Sequence, residues 1–135
     1  MLETVLCVDD DPITLMLCKK VIVKANFGKE IIFAQNGQEA LDLFEKLKDD
    51  NLKDGAQVPQ LVFLDLNMPV MNGWDFIEKF SLDTNSAFKN TKVIILSSTI
   101  DPADFNRAKQ YNVVSHFLSK PITVEMLEKL KEIYS

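Results

Sequence analysis

The chain has 135 residues, 47% hydrophobic and 26% charged, enough apolar material for one folded core without disulfide or metal staples and too little length for a second module; disorder and collagen-like repeats are excluded. Fifteen Lys and Arg against twenty Asp and Glu leave a net charge of −5, which repels nucleic acid and offers no basic stripe for direct contacts to it. Apolar stretches such as residues 13–18 fall far short of the roughly 20 residues that span a bilayer, and no secretory n-region precedes Leu2, so no membrane insertion is expected; two cysteines without a disulfide pattern point to a reducing cytoplasm.

Residues 4–8 form a β-branched run that reads as a strand, and Asp9, Asp10, Asp11 and Pro12 then supply helix N-cap candidates with proline near the first helical position. Ile13, Met16, Leu17 and Val21 continue at helical spacing until Phe27-Gly28 breaks the pattern. Residues 30–34 read as a second strand, and Asn36-Gly37 opens a helix whose apolar face is Ala40, Leu41, Phe44 and Leu47. The polar connection at 48–60 reads as a loop. Residues 61–64 are apolar without alternation, as a central parallel strand covered on both faces requires, and Asp65 ends them. Residues 74–80 predict a short third helix, with Gly73 serving the turn before it and Trp74 packing it on the sheet. After a second long connection at 81–92, residues 93–96 and 116–119 repeat the apolar-strand pattern, followed by helical patterns at 102–110 and at 124–133 after the cap candidate Thr123. Cys7 and Cys18 have neither zinc-ligand spacing nor a disulfide framework and read as buried apolar side chains.

Strict alternation of five strands with five helices predicts a doubly wound α/β fold with a five-stranded parallel sheet, in which ligands bind beyond the carboxyl ends of the strands. Asp9, Asp10 and Asp11 follow the first strand, Asp65 closes the third, Ser97, Ser98 and Thr99 close the fourth, and Lys120-Pro121 follow the fifth. Capping explains each of these singly. It does not explain why acids, hydroxyls and an amine share one edge of the sheet, which a phosphate-handling site requires.

The series Val8-Asp9-Asp10, Leu64-Asp65-Leu66-Asn67-Met68-Pro69, Asn72-Gly73, Ser97-Ser98 and Lys120-Pro121 resembles the response-regulator receiver family over nearly the whole chain. The resemblance implies the flavodoxin-like strand order 2-1-3-4-5 known for its chemotaxis members. It also implies that Asp65 is the phosphoacceptor, Asp9 and Asp10 the acidic pair, Ser97 the switch hydroxyl, Lys120 the amine that accompanies them, and Phe117 the switch aromatic, here without a hydroxyl. Residues 1–135 would be a single receiver domain without an effector domain. Such a protein is not a turnover enzyme. It catalyses only its own phosphorylation and dephosphorylation, taking the phosphoryl group from a histidine kinase or a histidine phosphotransfer protein.

The residue chemistry agrees with these implied roles. Carboxylates a few ångströms apart raise one another's pKa unless a cation lies between them, and Mg²⁺ (or Mn²⁺) prefers such oxygen ligands. By the family's pattern Asp10 and Asp65 would bind it directly, with the backbone carbonyl of Asn67, while Asp9 would act through water. An ionised Asp65 could attack a phosphoryl group without a separate base, and Lys120 and Ser97 could meet its oxygens. Asp11 reads as a helix cap, and His116 as a surface or rim histidine.

Three other readings fit less well. A haloacid-dehalogenase-type phosphatase needs an acid two residues after its nucleophile, where this chain has Asn67. A Rossmann module needs a glycine-rich cradle where this chain has three aspartates. An interaction module without phosphorylation leaves the acidic pair, Asp65, Ser97 and Lys120 unexplained. The last helix ends close to Ser135, so the output is expected through a separate downstream protein, by relay or by docking on the fourth helix, fifth strand and fifth helix.

Overall fold

The computed structural model describes residues 2–49, 58–68, 71–82, 88, 90–98 and 101–134. Its elements alternate as β1 (Leu2–Val8), α1 (Pro12–Lys24), β2 (Gly28–Ala34), α2 (Gly37–Asp49), β3 (Leu61–Leu64), α3 (Gly73–Leu82), β4 (Lys92–Ser97), α4 (Pro102–Ala108), β5 (Val114–Ser119) and α5 (Val124–Tyr134). The strands form one sheet in the order β2-β1-β3-β4-β5, every pair parallel. The doubly wound fold and its 2-1-3-4-5 order are therefore as expected.

The unbroken apolar runs follow from burial of both faces of the sheet. Leu6 and Val8 of β1, Val62 and Leu64 of β3, and Val93 and Ile95 of β4 point to one core, closed by Ala40 and Phe44 of α2, the aromatic side of α3 and Ala108 of α4. The alternate residues Val5, Cys7, Leu61, Phe63, Ile94 and Leu96 point to the other, closed by α1 and α5. A strand with apolar neighbours on both faces has no polar positions to alternate with.

Helix starts carry the caps expected of them. Asp11 Oδ1 accepts from the Ile13 amide at 3.0 Å and Asp11 Oδ2 from the Thr14 hydroxyl at 3.0 Å, with Pro12 in the first turn. Asp101 caps α4 in the same way, accepting from the Ala103 amide at 2.8 Å, and Thr123 Oγ1 accepts from the Met126 amide at 3.2 Å. Each satisfies an amide that has no partner within its helix.

Three expectations need correction, and packing fixes one helix face that spacing left open. The buried stripe of α1 is Leu15, Cys18 and Ile22, whereas Ile13, Met16 and Leu17 are more than half exposed. This helix is apolar nearly all round, so spacing alone does not select the face that docks. The start of the expected loop at 48–60 is still helical, since α2 runs to Asp49, while residues 50–57 lie outside the described residues. The fourth helix stops at Ala108 rather than at 110, with the Gln110 amide turning back to the Arg107 carbonyl at 3.0 Å. In the 81–92 connection α3 continues to Leu82, buried Phe88 packs on Phe44 with ring centroids 5.1 Å apart, and the Thr91 hydroxyl donates to the Pro59 carbonyl at 2.7 Å. Pro69 and Thr99 lie outside the described residues. Among those described, no helix is long and apolar enough to cross a membrane.

Candidate functional site

Strand register brings the site together. Val8 pairs with Ala34 on one side and Leu64 on the other, and the ladder runs one step further through Asp9 N to Ala34 O at 3.1 Å and Asp65 N to Val8 O at 3.0 Å. Asp9 and Asp65 thus leave neighbouring central strands at the same level. Ser97 pairs with Ser119 at the end of β4, and the Lys120 amide donates to the Ser97 carbonyl at 2.8 Å. The Lys120-Pro121 peptide bond is cis.

Asp9 and Asp65 are buried and Asp10 is exposed, and one carboxylate oxygen of each lies within 4.8 Å of the others. The Lys120 ammonium reaches into this group, donating to Asp9 Oδ2 at 2.6 Å and lying 3.4 Å from Asp65 Oδ1. Asp9 Oδ1 also accepts from the Asp11 amide at 3.0 Å.

Burial pushes the Asp65 carboxyl above the usual carboxylate range; the Lys120 ammonium opposes this, the Asp9 charge adds to it, and hydrogen bonds from the Asn67 backbone and from Lys120 offset only part. Burial alone would pull the Lys120 ammonium down, but the hydrogen bond to Asp9 and the charges of Asp65 and Asp9 hold it above its ordinary value. Three carboxylates and one ammonium leave an excess of negative charge. The all-oxygen donor set, two carboxylates buried and one open to solvent, suits a hard divalent cation of the Mg²⁺ class better than a thiophilic metal.

Glycines let the surrounding segments approach. A Cβ on Gly73 would stand 2.5 Å from the Asp65 carbonyl oxygen and 2.8 Å from Leu66 Cα, and the Gly73 amide donates to the Leu66 carbonyl at 3.0 Å. Close approach of α3 to the Asp65 segment, rather than a turn conformation, therefore accounts for Gly73. Gly37 similarly lets the start of α2 meet the Met71 carbonyl, to which its amide donates at 3.0 Å. Trp74 packs on the sheet as expected, and its indole N–H also donates to Asp104 of α4 at 3.2 Å while the Arg107 guanidinium lies 4.4 Å from its ring centroid.

Ser97 is buried at the sheet edge, and Phe117 is half-buried with its ring 6.0 Å from that of Phe105. Both lie where the sequence places them, on the strands that lead to α4 and α5. Phe117 lines a groove of about 230 Å³ between α4 and β5, together with Phe105, Ala108, Lys109, Val114 and His116. His116 is half-buried at its rim, with Nδ1 3.2 Å from Ser115 Oγ.

Sequence reasoning missed one relationship. Cys7 and Cys18 are each buried, as expected, but their sulfurs lie 3.3 Å apart. Contact with Cys18 and burial hold the Cys7 thiol well above the ordinary thiol range. No motif spacing signals this pair, because a strand and the helix packed on it bring the residues together.

The family model described as response regulator receiver domain matches residues 5–132. The chain is 30% identical over 124 residues to a probable chemotaxis protein CheY of Rhizobium etli, covering 92% of this chain and 85% of that protein. It is 29% identical over 136 residues to the two-component response regulator ARR8 of Arabidopsis thaliana, covering 94% of this chain but only 58% of the plant protein. Among solved structures, a two-component response regulator from Cytophaga hutchinsonii superposes with a TM-score of 0.86 at 29% identity, covering 98% of this chain and 96% of that one.

Proposed function

The chain belongs to the response regulator receiver domain family, and from that premise we propose that it accepts a phosphoryl group on Asp65 from a histidine kinase or a histidine phosphotransfer protein, in the presence of Mg²⁺. The observation that carries this reading is the position of Asp65 at the carboxyl end of central strand β3, with the Lys120 ammonium 3.4 Å away and the Asp9 and Asp10 carboxylates within 4.8 Å. The acids that cap helices, Asp11 and Asp101, are exposed; Asp65 is buried at the end of a strand with a lysine and two acids turned toward it.

Each residue has a role that follows from its chemistry. Asp10 and Asp65, with the Asn67 backbone carbonyl, would hold the cation, and Asp9 would support it through water. Bound there, the cation supplies positive charge against the carboxylates and a phosphoryl oxygen. Asp65, ionised once its surroundings are neutralised, is the nucleophile: its oxygen forms the new bond to phosphorus as the bond to the donor nitrogen breaks. Lys120 meets the equatorial oxygens as charge spreads over them, and Ser97 offers them its hydroxyl. Geometry and charge are the main needs of such a transfer.

Output by docking is the form of the proposal that the groove between α4 and β5 favours. Ser97 and Phe117 would couple that face to Asp65, and the groove offers apolar and cationic contacts from Phe105, Lys109 and Phe117. A downstream protein that bound the phosphorylated arrangement more tightly would read the signal, with a coupling of about 1–3 kcal/mol. Acetyl phosphate with Mg²⁺ tests acceptance: one phosphoryl group should be added per chain, and none with a chelator or in Asp65→Asn. Undiminished labelling of Asp65→Asn overturns the assignment.

A further inference from the structure

We propose that Cys7 and Cys18 form a reversible intramolecular disulfide that lowers the divalent-cation affinity of the neighbouring acidic site. The two sulfurs are 3.3 Å apart and buried on facing elements, Cys7 on β1 and Cys18 on α1. A disulfide needs about 2.05 Å, so they must close by little more than 1 Å. Both line a cavity of about 20 Å³ that is also lined by Asp9, Thr14, Phe63 and Asp65. That cavity holds about one water-sized molecule, and the two core thiols and the acidic site both border it.

Hydrogen peroxide, uncharged and one oxygen larger than water, is the oxidant. One sulfur, once deprotonated, attacks a peroxide oxygen; the O–O bond breaks, the departing hydroxide takes up the thiol proton as water, and a sulfenic acid remains. The second sulfur then attacks the sulfenic sulfur, the S–O bond breaks, and a second water departs with the remaining thiol proton. The two thiols together lose two protons and two electrons, and one peroxide takes them up to become two waters. A dithiol reductant reverses the bond by exchange.

The link to the site is covalent. Asp9, Asp10 and Asp11 all lie between the two cysteines in the chain, so the ring closed by the bond contains the acidic segment. Drawing α1 toward β1 shifts the carboxylates that β1 and the start of α1 hold. This second part rests on the reading of Asp9, Asp10 and Asp65 as the cation site. The expected loss of affinity is about tenfold, the lower end of the roughly 10–100-fold seen when the residues supporting a metal's ligands are disturbed.

The test treats the full chain with hydrogen peroxide, alkylates it under denaturing conditions and measures its mass before and after dithiothreitol. No Lys or Arg precedes Lys19, so one tryptic peptide contains both cysteines, and cleavage before the aspartates between them distinguishes a bridged pair from separate oxidations. The expected product is a monomer lacking two hydrogens, refractory to alkylation until reduced. Two alkylatable thiols after treatment, sulfinic or sulfonic acid at one cysteine, or disulfide-linked dimers overturn the disulfide. Mg²⁺ titration by calorimetry then compares oxidised and reduced chain; equal affinity overturns the coupling, and peroxide-treated Cys18→Ser should keep the affinity of the reduced chain. Should that variant not fold, the oxidised and reduced wild type still decide. A reduced chain that binds no Mg²⁺ would count against the cation-site reading and the coupling, while the mass measurement decides the disulfide separately.

Discussion

Lys120→Ala should destabilise the metal-free chain at neutral pH by about 2–3 kcal/mol, less than the roughly 3–5 kcal/mol for removing one partner of a fully buried ion pair. The ammonium side chain is 21% exposed and meets Asp9, 7% exposed, at 2.6 Å and Asp65, 10% exposed, at 3.4 Å. Without it two carboxylates are left facing each other out of water; solvent reaching the lysine end screens part of the cost, hence the smaller figure. With a urea dependence of roughly 1–3 kcal/mol per molar, the unfolding midpoint should fall by about 0.7–3 M. The effect has a pH signature. Burial and the Asp9 charge already raise the Asp65 carboxyl, and loss of the ammonium raises it further. The deficit is therefore largest above that raised value and shrinks as pH falls through it, where protonation removes the uncompensated charge. Urea unfolding of both proteins without divalent cations, at neutral and acidic pH, measures this. An unchanged midpoint, or a deficit that grows on acidification, refutes the view that Lys120, Asp9 and Asp65 form one electrostatic unit.

Asp65→Asn should make the metal-free chain more stable at neutral pH. Because the folded pKa of Asp65 is raised, the folded state binds the proton more tightly, so wild-type stability falls as pH rises from the ordinary carboxylate value through the raised one; equilibrium unfolding across that window should find the fall reduced in the variant. Asp11→Ala removes the cap on Ile13 and Thr14 and should cost about 1 kcal/mol of stability with little change in Mg²⁺ affinity, whereas Asp10→Ala should weaken Mg²⁺ binding; equal losses of affinity in calorimetry would contradict that division. Gly73→Ala sets a methyl against backbone at 2.5 Å and 2.8 Å and should destabilise by about 1–3 kcal/mol, visible as a lower thermal midpoint.

Central strands were the most legible part of the fold, because burial on two faces leaves the continuous apolar runs at residues 61–64 and 93–96. The end of each strand was legible for the same reason: Asp65 and Ser97 are where the apolar run stops, and parallel pairing then brings those stops to one edge. Helix α1 was harder. Ile13, Met16 and Leu17 are as apolar as Leu15, Cys18 and Ile22, so only tertiary packing decides which stripe is covered. The Cys7–Cys18 contact and the approach of Gly73 to Asp65 were also beyond local reading, since both depend on how far a helix stands from a strand. Lys120 lay between these extremes: its place after β5 was visible, but its 2.6 Å contact with Asp9 required the fold.

The central claim is that Asp65 carries the phosphoryl group, and residue-level mapping of that group tests it most directly. After incubation with Mg²⁺ and acetyl phosphate, borohydride reduces an aspartyl phosphate to a homoserine side chain, which marks the acceptor position in a peptide mass spectrum. The account predicts this mark at position 65, at no other aspartate of the acidic cluster, and only in samples containing Mg²⁺. A mark at Asp9, Asp10 or Asp11 with position 65 unmodified, or no acyl phosphate under these conditions, would contradict it.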